Sequence, residues 1–288
     1  MKRPKYLFVY LFTIIGFLSC SSDDSNNNND PEALNPLVAY EEFNISYGND
    51  SDQVFDLYLP ANRSSNTKTV ILVHGGGWTA GDKADMNAFK DYIKTQMTDY
   101  AIVNMNYRLA DENNPPYPMQ INDITTVVDY LEANENYYSI SDKIGFIGAS
   151  AGAHLSLLWS YAFDDDSQVE MVCSVVGPTN FTDPAYLNNN NPVLQEILDA
   201  FGIDATTEFL EDVSPYHRVT SSAPPTILFY GGQDPLIPTT QGTDMRDKLE
   251  ALNVTHEFTL YPNEGHGWIG FNLLDTTLKL HNFIETHM

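Results

Sequence analysis

The sequence predicts an α/β fold: a mostly parallel central sheet flanked by helices, with a small cap inserted late in the chain. Three observations carry this. Short apolar, strand-like runs alternate with helical stretches long enough for crossover connections, which parallel strands require. Val70-Ile71-Leu72-Val73 is apolar at every position and largely β-branched, as suits a strand buried on both faces. No internal repeat or second domain interrupts the alternation, and only residues 178–222 break its rhythm.

Taken in order, the first element is an alternating strand over 54–59, of the antiparallel type, stopped by Pro60. A buried strand over 69–73 follows, then a helix over 84–97 and a strand over 101–107. A helix over 118–135 carries Pro118 in its first turn, where a missing N–H costs nothing. The strand over 144–148 runs straight into a helix over 151–163, and 171–176 is the next strand. Within 178–222 the pattern gives two short helices, near 193–201 and 206–212. This insertion either shapes a pocket at the sheet's C-terminal edge, where ligands of open α/β sheets bind, or is a solvent-facing excursion. Strands over 226–230 and 256–261 and helices over 239–252 and 271–286 complete the body.

Composition narrows the function. The chain has 288 residues, 42% hydrophobic and 18% charged, which excludes a disordered polyelectrolyte and allows a large core. Its formal net charge is −25, so nucleic acid is a poor partner. Two cysteines, Cys20 and Cys173, are too few for a thiolate metal centre. No H-E-x-x-H, P-loop or dinucleotide fingerprint occurs, so no cofactor or metal is expected. The run Asp164-Asp165-Asp166 offers either a calcium site or a solvated loop, and the latter is the expectation.

The chemistry concentrates in three places. Gly148-Ala149-Ser150-Ala151-Gly152 stands between a strand and a helix, so Ser150 sits on a tight turn with its hydroxyl at a helix N-terminus. Side chains at Gly148 and Gly152 are expected to collide across that turn. His74-Gly75-Gly76-Gly77-Trp78 follows the 69–73 strand. Its glycines let backbone N–H groups approach a carbonyl, and Gly76, Gly77 and Ala151 are the candidate oxyanion donors. His74 is expected to brace the loop; Trp78 either lines the substrate pocket or packs.

A serine needs a base, and the base an orienting carboxylate. His266, between Gly265 and Gly267 in the loop before the last helix, is the candidate base. His217 is its one competitor, since His154, His256, His281 and His287 fall on regular elements. Asp234, in the loop after the 226–230 strand, is the candidate acid. Asp244 and Asp247 fall on a helix, and Glu264 is close in sequence to His266 and at most a helper.

With these motifs in order, the chain from Tyr40 onward resembles the α/β-hydrolase superfamily. The strings carrying the resemblance are HGGGW, Asn106-Tyr107-Arg108-Leu109, Tyr117-Pro118-Met119-Gln120 with Asp123, GASAG, GGQDPLIP and EGHGW. Together they look like carboxylesterases related to hormone-sensitive lipase, and most closely like bacterial feruloyl and acetyl-xylan esterases. The resemblance implies a serine carboxylesterase with the triad Ser150, Asp234 and His266, acting on a small-molecule or glycan ester. It also implies that Tyr107, Arg108 and Asp123 brace the HGGGW loop. Ala153 departs from relatives that carry a third glycine there. An amidase or peptidase of the same fold, and a non-catalytic glycan-binding lipoprotein, are the competing readings.

The N-terminus reads as an address. Lys2, Arg3 and Lys5 precede an apolar run from Tyr6 to Leu18, short for a membrane span and suited to a signal. Leu18-Ser19-Cys20 resembles the lipobox of bacterial lipoproteins, which implies lipidation at Cys20; the competing reading is an ordinary secretory signal. The expected organisation is a leader over 1–19, a flexible polar tether over 20–36 and a catalytic domain over 37–288. Ser21-Ser22-Asp23-Asp24 resembles a surface-export signal or is simply a solvated start to the tether. The expected location is the bacterial envelope, at the outer membrane or cell surface, with membrane contact through the lipid alone.

Overall fold

The computed structural model describes residues 33–188, 190–201 and 206–288. The 1–19 leader, Cys20 and most of the tether lie outside the described residues. Leu34 donates its N–H to Tyr137 O at 2.9 Å, and Arg63 donates to Pro36 O at 3.1 Å. The folded domain therefore begins by Leu34, upstream of the expected boundary at residue 37.

The domain opens with β1 (Tyr40–Ser46), β2 (Val54–Leu59) and β3 (Thr69–Val73). A 3₁₀ turn at Lys83–Met86 leads into α1 (Asn87–Gln96), followed by β4 (Ala101–Met105), α2 (Pro116–Ala133) and α3 (Glu135–Tyr138). Next come β5 (Ile144–Ala149), α4 (Ala151–Ala162) and β6 (Val169–Val175). The insertion holds α5 (Pro184–Leu187), α6 (Pro192–Phe201), α7 (Thr207–Asp212) and α8 (Pro215–Arg218). The chain ends with β7 (Thr226–Gly231), α9 (Thr239–Ala251), β8 (His256–Tyr261) and α10 (Phe271–His287).

The eight strands form one sheet in the order β1-β2-β4-β3-β5-β6-β7-β8. β1 with β2 and β2 with β4 are antiparallel, and the remaining pairs are parallel. This is the expected α/β-hydrolase arrangement. All five residues of β3 are buried. Ile71 and Val73 belong to one buried apolar cluster with Ile124 of α2, Leu155 of α4 and Leu249 of α9, and Val70 and Leu72 to another with Ile93 of α1 and Phe283 of α10. Each such buried side chain contributes roughly 1.5–3 kcal/mol, so an apolar strand flanked by helices on both sides is the stable solution. From β3 the chain steps outward to β4, then crosses to the other side for β5. That reversal opens a crevice at the C-terminal ends of β3 and β5.

Several elements differ from expectation. β1 was not foreseen: most of its side chains are exposed at the sheet edge, so it shows no apolar alternation. The 84–97 helix starts as the 3₁₀ turn, capped by Asp82, whose side chain accepts from Ala84 N at 2.8 Å. The strand expected over 101–107 ends at Met105: Asn106 N still bonds Val54 O at 2.9 Å, but the Asn106 and Tyr107 side chains turn to neighbouring loops. The single-turn helices α5 and α8 each open on a proline preceded by Asp183 or Ser214, a start signal too short to register as periodicity. Asp164 accepts from the N–H groups of Gln168 and Val169, which makes the Asp164-Asp165-Asp166 run a loop closure ahead of β6.

The segment after β4 is fastened to α2 by a buried carboxylate. Asp123 is fully buried and accepts from Gln53 Nε2 at 2.9 Å, Arg108 N at 2.8 Å and Arg108 Nη2 at 2.6 Å. Asp123→Ala would strand these donors in a low-dielectric site and lower stability by about 2–4 kcal/mol. Asp123→Asn, which keeps an acceptor, would cost less. Urea denaturation of the three proteins reads both effects.

Candidate active site

Ser150 lies between β5 and α4 with φ 51° and ψ −119°, a backbone conformation rare for a residue with a side chain. Such a residue costs of order 1–3 kcal/mol and persists only where its surroundings hold it. Here Ser150 N donates to Val175 O at 2.8 Å, and Ser150 O accepts from His154 N at 3.1 Å. The glycines act somewhat differently from expectation. A Cβ on Gly148 would strike Gly152 O and the Ala153 backbone across the turn, whereas one on Gly152 would strike the Val73 and His74 carbonyl oxygens. Gly152 therefore keeps α4 close to the end of β3 rather than clearing the turn itself.

The structure brings Ser150, His266 and Asp234 together. His266 Nε2 lies 2.9 Å from Ser150 Oγ, and His266 Nδ1 lies 2.7 Å from Asp234 Oδ2. A carboxylate can only accept, so Nδ1 carries the proton and Nε2 is free to accept from the serine. The Asp234 side chain is 1% exposed, and its Oδ1 accepts from Leu236 N at 2.8 Å and Ile237 N at 3.0 Å. Gln233 N donates to Glu264 O at 2.7 Å, tying the acid's loop to the histidine's loop. The other candidates lie apart: His217 bonds Thr182 Oγ1 at 2.9 Å, Glu264 accepts from Asn272 Nδ2 at 2.6 Å, and Asp244 is exposed on α9.

The loop after β3 faces the same point. Among the described residues, the N–H groups from Gly75 to Trp78 and that of Ala151 donate to no acceptor within the protein. Gly76 has φ 120°, and a Cβ there would strike the Ala80 carbonyl, so glycine is required. Tyr107 Oη donates to His74 O at 2.9 Å, and its ring stacks on the His74 imidazole with centroids 4.2 Å apart. His74 is fully buried, as a bracing residue would be, and burial lowers its pKa. Gln120 Nε2 donates to Trp78 O at 2.7 Å and Arg108 O at 2.8 Å, which links the Asp123 anchor to the glycine loop.

Two hollows meet at Ser150. One is an open cleft of about 530 Å³, whose walls include Gly76, Phe89, Trp268 and Leu273. The other is a small apolar hollow lined by Trp78, Tyr186, Leu194, Leu198, Leu236 and Ile237. Trp78 both lines the hollow and packs: it is 2% exposed and sits against Phe201 at 4.6 Å between centroids. The insertion shapes a pocket through α5 and α6. Tyr186, Leu194 and Leu198 escaped the sequence reading, because nothing local marks a cap side chain as wall rather than core. Leu236 and Ile237 could have been found as the apolar pair directly after Asp234.

A model of the BD-FAE family matches residues 55–249. The chain belongs to the BD-FAE family. It is 27% identical over 247 residues to the esterase LipC of Mycobacterium tuberculosis, covering 80% of this chain and 60% of LipC. The chain thus spans less than two thirds of that relative's length. It is 27% identical over 263 residues to the carboxylesterase NlhH of the same species, covering 85% of this chain and 80% of NlhH. A solved structure described as a truncated form of carbohydrate esterase from gut microbiota superposes with a TM-score of 0.69 at 19% identity, covering 87% of this chain and 98% of the other. At that identity the likeness speaks for the fold alone.

His154 joins the insertion to the loop. It is fully buried, its Nε2 donates to Val213 O at 2.8 Å, and its Nδ1 accepts from Trp78 Nε1 at 3.3 Å. Burial pushes its pKa down to about 4. Above the unfolded histidine value near 6.5, both states are neutral and the contribution of His154 is fully present. As pH falls from there toward 4, only the unfolded chain takes up the proton, so stability is lost. The expected loss between pH 7.5 and 5 is about 2 kcal/mol from this group. Urea titrations of the parent and His154→Gln at both pH values isolate it, with the variant losing less on acidification.

Proposed function

We propose that the protein is a serine carboxylic ester hydrolase. The observation that carries this reading is the continuous line from Asp234 through His266 to Ser150, ending under unpaired backbone donors. The Ser150 hydroxyl passes its proton to His266 Nε2 as Oγ attacks the ester carbonyl carbon. Asp234 holds the imidazole in the required tautomer and stabilises the imidazolium. The carbonyl oxygen becomes an oxyanion held by N–H groups of Gly76, Gly77 and Ala151, each such donor contributing roughly 3–4 kcal/mol. His266 then gives its proton to the alcohol oxygen, the C–O bond breaks, and the acyl group remains on Ser150. A water, deprotonated by His266, attacks that acyl-enzyme and releases the carboxylic acid. The strained turn keeps Oγ exposed for both steps.

The substrates in this reading are acyl esters on carbohydrate, such as acetyl or feruloyl groups on plant polysaccharide. The sequence resemblance of the HGGGW, GASAG, GGQDPLIP and EGHGW strings supports this. Ser150→Ala should lower kcat on p-nitrophenyl acetate by about 10⁴-fold or more with the fold retained. Asp234→Asn should also cost heavily by misorienting the ring, while Asp244→Asn on the exposed side of α9 should not. Retention of activity within about tenfold in Ser150→Ala would remove the serine from its role.

The enzyme in this reading is anchored in a bacterial envelope by lipid on Cys20. The basic start, the apolar run and Ser19-Cys20 support it. Each buried acyl CH₂ contributes about 0.8 kcal/mol, so more than one chain gives stable attachment. The polar stretch after Cys20 would hold the catalytic domain clear of the surface. Native protein should fractionate with membranes and carry acyl mass at its N-terminus, and Cys20→Ala should not. Soluble secretion of both would make the segment an ordinary signal.

A further inference from the structure

The open cleft beside Ser150 has one carboxylate in its wall. Asp85, from the 3₁₀ turn ahead of α1, lines it together with the apolar side chains of Phe89, Trp268 and Leu273. Among the described residues no lysine or arginine lines either this cleft or the small apolar hollow on the other side of Ser150. Any part of an ester too large for that hollow must lie in the cleft, beside Asp85.

Asp85 is exposed, yet its carboxylate is held in place. Its Oδ2 accepts from Asp82 N at 3.1 Å, which closes the capping box of the turn, and its Oδ1 has no partner among the described residues. The neighbouring cation does not neutralise it. The Lys83 ammonium is turned to Asp56 Oδ1 at 2.5 Å and Asn44 Oδ1 at 2.6 Å. Asp85 enters no ion pair among the described residues. Its field reaches the glycine loop and the ring behind it. Burial raises the Tyr107 pKa, and Asp85 adds to the rise. Burial lowers the His74 pKa, and Asp82 and Asp85 are among the groups that oppose the fall. A charge in a cleft with apolar walls acts on a bound group more strongly than one on an open surface.

We propose that Asp85 makes the open cleft selective by charge, admitting neutral and cationic groups and excluding anionic ones. The proposal rests on the ester-hydrolase reading, and it narrows a glycan substrate to neutral chains. A sugar hydroxyl can donate to Asp85 Oδ1. A carboxylate or sulfate on the sugar beside the ester would instead meet a like charge, with no lysine or arginine in the wall to bind it. The formal net charge of −25 acts in the same direction over the whole surface, so the test must separate the local charge from the general one.

Three acetate esters do so: para-acetoxybenzamidine, para-acetoxybenzamide and para-acetoxybenzoate. Their planar substituents match in shape and are positive, neutral and negative. Release of the phenol gives kcat/KM for the parent, Asp85→Asn, Asp85→Lys and Asp142→Asn. Asp142 is exposed just ahead of β5, at the end of the strand opposite Ser150. Comparing ratios between proteins cancels the intrinsic reactivity of each ester. The amidinium-to-carboxylate ratio should fall about tenfold in Asp85→Asn and about a hundredfold in Asp85→Lys, as for one charge removed and then reversed. In Asp142→Asn it should stay within about twofold, because salt screens a distant exposed charge. Asp85→Asn keeps an acceptor for Asp82 N, so its kcat/KM on the neutral amide should stay within about threefold of the parent. A ratio unchanged in both Asp85 variants overturns the proposal. So does an equal fall in Asp142→Asn, which would assign the preference to the charge of the whole molecule. So does a loss on all three esters at constant ratio, which would make Asp85 a brace of the glycine loop. If no acetate is cleaved faster than by Ser150→Ala, the ester-hydrolase reading itself fails, a result distinct from any change in ratio.

Discussion

Val73 pairs with Gly148 in the parallel register of β3 with β5, and the site depends on that one pairing. It sets the end of β3 beside the end of β5, so that the glycine loop and the serine turn emerge side by side. Gly152 has no side chain, which lets α4 approach the Val73 and His74 carbonyls. A register slip of one residue would reverse every buried side chain of β3, and both faces of β3 are packed with helix side chains. The apolar core on the two sides of the sheet thus fixes a polar geometry at its edge. β7 completes the arrangement from the other direction, since Asp234 follows it within a turn tied by backbone bonds to the loop of His266.

Holding a loop with unpaired N–H groups requires that its other polar atoms be paired. The Trp78 carbonyl receives both Gln120 Nε2 and Ala110 N, and the Gly76 carbonyl receives Ala80 N at 3.0 Å. Behind these, Asp123 fixes Arg108, and Gln120 reaches both Arg108 and the loop. The carbonyls of His74, Gly76 and Trp78 are therefore spent on the scaffold while the N–H groups from Gly75 to Trp78 remain available. That asymmetry leaves donors open at the end of β3 while a hydrogen-bond network remote from the serine holds the loop in place.

The parts of this molecule that were legible in the sequence are those where burial and chemistry coincide. The runs of β3, β5 and β7 are apolar because both faces must be covered, and the glycine loop, Ser150 and Asp234 follow them at short distance, whereas β8 ahead of His266 shows only an alternating pattern. Ser150, Asp234 and His266 could be placed at strand ends for that reason. β1 escaped because an edge strand with exposed side chains has no pattern to show. Tyr186 escaped for a different reason. Its position in the hollow is set by how α5 and α6 fold back over the sheet, and no local periodicity encodes that. Trp78 fits both sequence alternatives because a bulky ring can fill a core with one side and wall a cavity with another.

His154 ties these levels together. It lies one helical turn beyond Ser150, yet its ring reaches away from the nucleophile, into a cluster with Trp78, Phe181 and Phe201. Its two nitrogens are committed to the glycine loop and to the insertion, through Trp78 Nε1 and Val213 O. The insertion, the glycine loop and the helix that follows the serine therefore share one buried aromatic junction. A shift of α6 cannot occur without disturbing Trp78, whose backbone adjoins the donors at Gly76 and Gly77. The insertion is thus packed onto the glycine loop through Trp78, His154 and Phe201. Any movement of the insertion is therefore passed to the glycine loop through side chains that touch both, Trp78 and His154.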